Sequence, residues 1–249
     1  MKIITVANQK GGVGKTTTCQ ALLEGLNENK VLGIDLDPQK NFTANFLSNA
    51  ELEKNIYKVF RGEESIRNCI KTISENVDIV PSSILMAGID LEIQRPGKEY
   101  ILKEALEQIK NNYEYIIIDT PPVLGTIVAN ALTVADELVI PMETQAYSLQ
   151  GLTQLLNTVK IIKKYYNQNL QISGILITKF EKNTNLAKKI EVAIREYGRG
   201  CNINIFNQTI RKSVSIGKCQ LEQSKILDKN SKVKDDYLKV ISELTIMQK

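Results

Sequence analysis

The sequence predicts an α/β fold, a doubly wound and mostly parallel sheet with helices on both faces. Short, nearly unbroken apolar runs recur along the chain, and stretches with helical apolar spacing separate most of them. Strands buried on both faces read as continuous apolar runs, and right-handed crossovers through helices join them in parallel. A glycine-rich turn between the first run and the first helix points to the carboxyl ends of the strands, where ligands of such sheets sit.

In chain order the runs are Ile3-Ile4-Thr5-Val6, Val31-Leu32-Gly33-Ile34, Val77-Asp78-Ile79-Val80, Tyr115-Ile116-Ile117-Ile118, Leu138-Val139-Ile140 and Ile172-Ser173-Gly174-Ile175-Leu176-Ile177. A shorter seventh is Ile203-Asn204-Ile205. In this order the Tyr115 run is the fourth strand. Ala21, Leu22 and Leu26 mark one helix face, and Ile101, Leu102, Ala105, Leu106 and Ile109 mark another. No repeat or low-complexity linker divides the chain, so residues 1–249 are expected to form a single domain.

Composition narrows the chemistry. Hydrophobic residues make up 43% of the 249, a globular proportion. No apolar run approaches the roughly 20 residues of a membrane-spanning helix, and Met1 leads directly into the first strand, so no signal peptide is expected. A cytoplasmic location is expected. The four cysteines form no C-x-x-C pair and histidine is absent, which excludes the usual zinc sites and histidine acid–base catalysis. The net charge of +4 permits contact with a polyanion without demanding it.

After the first strand comes Asn8-Gln9-Lys10-Gly11-Gly12-Val13-Gly14-Lys15-Thr16-Thr17-Thr18. Three glycines in four residues let backbone N–H groups turn around an anion, and the following helix adds its positive end. Lys15 is placed to neutralise β/γ-phosphates and Thr16 to put its hydroxyl on Mg²⁺. The strict pattern G-x-x-x-x-G-K-[ST] fails, because Gln9 stands where its first glycine belongs. The sequence has K-G-G-x-G-K-T instead, with an extra lysine at Lys10.

Lys10 to Thr17 resembles the deviant Walker A motif of the ParA/MinD family of P-loop ATPases. The resemblance implies that Lys10, Gly11, Gly12, Val13, Gly14, Lys15, Thr16 and Thr17 bind ATP. It also implies that Lys10 reaches the partner's phosphates across a nucleotide-sandwich dimer, a cation supplied in trans.

Two later strands end in carboxylates, in Asp35-Leu36-Asp37-Pro38-Gln39 and in Asp119-Thr120-Pro121-Pro122. A carboxylate after an apolar strand is costly to desolvate without a cation. Asp119 reads as the Walker B residue, contacting Mg²⁺ through water. The D-x-D-P-Q segment is similar to a second family motif, in which Asp37 positions the attacking water and Asp35 supports the metal. Helix capping or a solvated loop would also place acids at these positions. The catalytic set is then Lys10, Lys15 and Asp37, with ATP and Mg²⁺ as cofactors.

The similarity continues through Asn130-Ala131-Leu132, Ala135-Asp136-Glu137, Pro141 and Tyr147-Ser148-Leu149-Gln150-Gly151-Leu152. No helix-turn-helix extension precedes the first strand, so the chain resembles the short ParA proteins, chromosomal or plasmid-borne. Its last third departs from them. Ile210-Arg211-Lys212-Ser213-Val214 resembles the I-R-R-S-V pattern of some plasmid relatives, but two DNA-linked family arginines fall on Asn183 and Ser215, and a glutamate on Lys218. Lys182, Lys188, Lys189, Arg195, Arg211, Lys212 and Lys218 form a replacement basic surface or are ordinary solvated cations.

The function expected from the resemblance is partition of a plasmid or chromosome. It comprises an ATP-gated homodimer, non-specific DNA binding that associates the protein with the nucleoid, and slow hydrolysis stimulated by a ParB-like centromere-binding partner. No membrane partner is expected. The alternative is a MinD-like membrane-cycling ATPase, which needs a C-terminal amphipathic helix at the bilayer. Asp235 to Lys249 has apolar Tyr237, Leu238, Val240, Ile241, Leu244 and Met247, but its Asp235, Asp236 and Glu243 favour a last helix packed on the sheet. A nitrogenase-iron-protein-like redox ATPase needs a cluster-bridging cysteine after the Walker B strand, and residues 119–138 have none.

Overall fold

A computed structural model describes residues 1–47, 53–145, 148–222, 224–227 and 232–246. Strand β1 (Lys2–Val6) leads into helix α1 (Lys15–Gly25), β2 (Val31–Asp35) and the single turn α2 (Asn41–Ala44). Short helices α3 (Ile56–Arg61) and α4 (Ile66–Cys69) precede β3 (Lys71–Ser74) and β4 (Val77–Val80). Then come α5 (Ile89–Glu92), α6 (Ile101–Glu107), β5 (Tyr115–Asp119), α7 (Thr126–Val134), β6 (Glu137–Glu143), α8 (Ser148–Tyr165) and β7 (Gln171–Thr178). Helices α9 (Asn185–Gly200), α10 (Val214–Leu221) and α11 (Lys232–Ile246) complete the described chain.

The seven strands form one sheet in the order β3-β4-β2-β5-β1-β6-β7. All neighbours are parallel except the β3–β4 pair at one edge. Alternate side chains of each strand point to opposite faces, and both faces are apolar. Ile4, Val6 and Ile117 pack with Cys19, Leu22 and Leu23 of α1, while Ile3, Ile116 and Ile118 pack with Leu102 and Leu106 of α6. The doubly wound fold expected from the sequence is therefore present.

Two details differ from expectation. The edge strand β3, with sequence Lys71-Thr72-Ile73-Ser74, alternates exposure and has no apolar run to announce it. The Tyr115 run is consequently the fifth strand and not the fourth. Ile203 to Ile205 is not a strand. It makes one bridge, Ile175 to Ile205, before Asn207 and Gln208 turn their N–H groups to the Glu243 carboxylate on α11.

The C-terminal helix is committed to the interior. Val233, Tyr237, Val240, Ile241 and Leu244 are buried in the cluster that contains α1, and Tyr237 Oη lies 3.4 Å from Thr18 Oγ1. Glu24 on α1 accepts the N–H groups of Ile226 and Leu227, which ties the segment before α11 to the same helix. Met247 and Lys249, assigned to this helix from sequence, and Tyr147 of the Tyr147–Leu152 stretch lie outside the described residues.

Candidate functional site

The phosphate loop leaves β1 between β5 and β6. Asn8 anchors its start, with the amide donating to Pro141 O at 2.7 Å and Oδ1 accepting from the Lys10 N–H. Gly12 and Gly14 adopt φ of 75° and 91°, a left-handed backbone that strains a side-chain-bearing residue. Gly14 also caps α1, and no side chain bonds to the first N–H groups of that helix. The first turn carries no acidic residue. This helix end is open to an anion.

Above it lies a cavity of about 520 Å³ bounded by the loop, Asp37, Asn45, Pro122, Lys179 and Ile216. Lys15 is a buried wall of this cavity, its ammonium donating to Lys10 O at 3.3 Å. Burial lowers its pKa, against the opposing pull of Asp119 and Asp37. At the cavity foot Thr16 Oγ1 donates to Asp119 Oδ2 at 2.7 Å. Asp119 is fully buried and its Oδ1 has no hydrogen-bond partner among the described residues. Burial and the neighbouring Asp35 push its carboxyl up to about 8, although the Thr16 hydroxyl and Lys15 oppose the rise. An orphaned buried carboxylate is expensive unless something cationic meets it.

Parallel pairing sets Asp35 beside Asp119. Its oxygens are occupied by protein donors: Oδ1 by the Asp37 N–H at 3.0 Å, and Oδ2 by the N–H and hydroxyl of Thr43 at 2.8 and 2.7 Å. Burial raises its pKa to about 6 despite these bonds. In this arrangement Asp35 fixes the loop that presents Asp37 to the cavity. Asp37 is buried, and its Oδ1 accepts the Gln39 N–H at 2.9 Å. The described residues contain no cluster of three or more His, Cys, Asp or Glu suited to enclosing a metal. One hydroxyl and one orphaned carboxylate beside an anion site fit a small hard cation that shares its other ligands with phosphate.

Lys10 does not line this cavity. Its ammonium lies 2.5 Å from Gln145 Oε1, on the loop after β6. Residues that sequence analysis did not single out complete the walls. Lys179 sits between the cavity and a neighbouring one, and Asn45 reaches from α2 to Gln20 of α1 at 2.9 Å. A threonine and lysine directly after the β7 run were the only signal, and a weak one.

The basic set is scattered by its partners. Arg211 forms a two-pronged pair with Asp236 on α11, both bonds at 2.7 Å, and that carboxylate is 2% exposed. Lys212 pairs with Glu181, and Arg195 with Glu191 one helical turn away. Lys182, Lys188, Lys189 and Lys218 are exposed, with no ion pair seen among the described residues.

A doubly wound sheet with a lysine-bearing phosphate loop over a helix start, faced by strand-end carboxylates, defines a P-loop ATPase. The family model described as AAA domain matches residues 1–172. The chain is 38% identical to the sporulation initiation inhibitor protein Soj of Bacillus subtilis, covering 98% of both chains. It is 32% identical to the chromosome partitioning protein ParA of Myxococcus xanthus, over 98% of this chain and 87% of that one. The solved structure of a plasmid partition protein from Borrelia burgdorferi bound to AMPPNP aligns with a TM-score of 0.86 at 29% identity, over 100% of this chain and 99% of that one. The chain belongs to the Soj/ParA family of partition ATPases.

Proposed function

We propose that this chain binds Mg²⁺ and ATP in the cavity above α1, closes as a homodimer around two nucleotides, and in that state binds DNA without sequence preference. The observation that carries the nucleotide part is the buried, partnerless Asp119 Oδ1 beside Thr16 at the foot of an uncapped glycine loop. The N–H groups of residues 11–17 cradle the phosphates and Lys15 neutralises them. Thr16 and, through water, Asp119 would hold the metal, which would supply charge neutralisation on the β/γ-phosphates. Asp35 supports this arrangement by bracing Asp37, and Asp37 orients the attacking water. Lys10 points away from its own cavity and serves the partner's nucleotide.

No histidine is present, and no arginine lines the cavity, so hydrolysis is slow until a ParB-like centromere-binding protein stimulates it. The ATP-bound dimer is nucleoid-associated, with Lys182, Lys188, Lys189 and Lys218 as its DNA-facing cations. Membrane cycling has less support. Val233, Tyr237, Val240, Ile241 and Leu244 of α11 are buried in the cluster with α1, leaving Leu238 and Ile246 exposed, and no described helix is long and apolar enough to cross a membrane.

Phosphate release under Mg²⁺ and ATP, with DNA and with the protein encoded beside this one, tests the proposal. A low basal rate that rises only when both are added is expected. A fast rate from the protein alone contradicts partner control, and failure to bind ATP overturns the whole function.

A further inference from the structure

The carboxyl end of β7 grips the phosphate loop twice. Thr178 Oγ1 donates to Val13 O at 2.7 Å, and Lys179 Nζ donates to Gly12 O at 2.5 Å. In an extended strand these consecutive side chains would point to opposite faces. Lys179 instead has φ of 48°, an uncommon conformation for a side-chain-bearing residue, and both side chains reach the same loop. The ammonium is also held by Glu143 Oε1 at 2.8 Å, a carboxylate 8% exposed at the end of β6. A line of contacts therefore runs from a buried acid on one strand, through a cation on the next, to a carbonyl of the loop.

A trans planar peptide sets its C=O and N–H in opposite directions. Drawing the Gly12 and Val13 carbonyls toward β7 turns the Val13 and Gly14 N–H groups the other way. We propose that Lys179, anchored by Glu143, is a positioning residue that preforms the phosphate loop by fixing the Gly12–Val13 peptide. This rests on the nucleotide-binding function proposed above. Preforming a site removes part of the ordering cost of binding. Because Lys179 acts on loop shape and not on the γ-phosphate, it serves ADP and ATP alike.

The test is titration of the full chain with fluorescent ADP and ATP analogues in Mg²⁺, with melting temperature recorded for each variant. Lys179→Met should weaken both nucleotides equally, by about three- to tenfold, the net size of one ordinary hydrogen bond, because only part of the loop's ordering is lost. Lys179→Arg should restore most of the affinity. Glu143→Gln should weaken binding in the same direction, and the double variant should be no worse than the weaker single, as expected for residues acting as one unit. Lys179 as a direct phosphate ligand predicts the opposite sign for Glu143→Gln. Freeing the ammonium would then tighten binding, and Lys179→Met would harm ATP more than ADP. Either of those results, or unchanged affinity in folded Lys179→Met and Glu143→Gln, overturns the proposal while leaving the nucleotide site intact. A parent chain that binds neither nucleotide overturns the nucleotide-binding function itself.

Discussion

The two ends of the chain treat positive charge differently. At the phosphate loop, Lys15 is buried with a backbone carbonyl as its hydrogen-bond partner and lines an open cavity. In the C-terminal third, Arg211 and Lys212 look equally available in sequence, yet each is matched to a carboxylate, Asp236 or Glu181. A cation serves a ligand where its ammonium lines a cavity without a direct ion pair, even with carboxylates nearby, and serves the fold where a carboxylate closes directly on it. Neither outcome can be read from a count of lysines and arginines.

The sharpest way to break this comparison is to remove the cations one at a time. Lys15→Ala should cost about a hundredfold or more in ATP affinity, the worth of a desolvated charge on phosphate. Lys10→Ala should bind ATP nearly normally and lose turnover, since its ammonium faces Gln145 and not its own cavity. Equal loss of binding in both variants, measured by calorimetry, would contradict a trans role for Lys10.

The next largest effect concerns Asp119. Its carboxyl is raised to about 8 by burial and Asp35, from an ordinary value of about 4. The folded state therefore keeps a proton that the unfolded state releases, and stability falls as pH climbs from about 4 through 8. Asp119→Asn should abolish turnover but raise the melting temperature of the nucleotide-free protein, more at pH 8 than at pH 5. A gain that is the same at both values would show that the carboxylate carries no such penalty.

Arg211→Ala tests the opposite end. Removing the guanidinium leaves the buried Asp236 with the Gln208 side chain and the residue 211 backbone N–H as its described partners. Loss of about 1–3 kcal/mol is expected, or roughly 2–4 °C of melting temperature per kcal/mol for a chain of this size. An unchanged melting temperature with weakened DNA binding would return Arg211 to the DNA surface. The smallest effects are on DNA itself. Lys188→Ala with Lys189→Ala should lower the log–log salt slope of binding by about 2 per protomer, or about 4 for the dimer, whereas Lys212→Ala should change it by less than about 1. The reverse ranking would show that the Glu181 pair opens on DNA.

Sequence legibility follows the same division. The parallel strands were visible because strands buried on both faces leave unbroken apolar runs, and the phosphate loop because its glycines and lysine are local in sequence. The edge strand β3 was invisible because one of its faces is solvated. Asp35 reads from sequence as a metal support, while its bonds to Thr43 span eight residues and form only when α2 folds back. The pairing of Arg211 with Asp236 joins residues 25 apart through α11, and Lys179 reaches a loop 167 residues earlier. Pattern and spacing do not encode such long-range matches.

A mixing experiment tests the ATP-dependent, shared-site dimer most directly. Lys10→Ala and Asp37→Ala, each inactive alone, are combined in equal amounts before ATP is added. In a mixed dimer the Lys10→Ala protomer keeps its own Asp37 and receives Lys10 from its partner, so one of the two sites is complete. Half of randomly formed two-fold dimers are mixed, and phosphate release should recover to about a quarter of the parental rate. A mixture as inactive as its components, with mixed dimers shown to form, would contradict a catalytic Lys10 supplied across the interface.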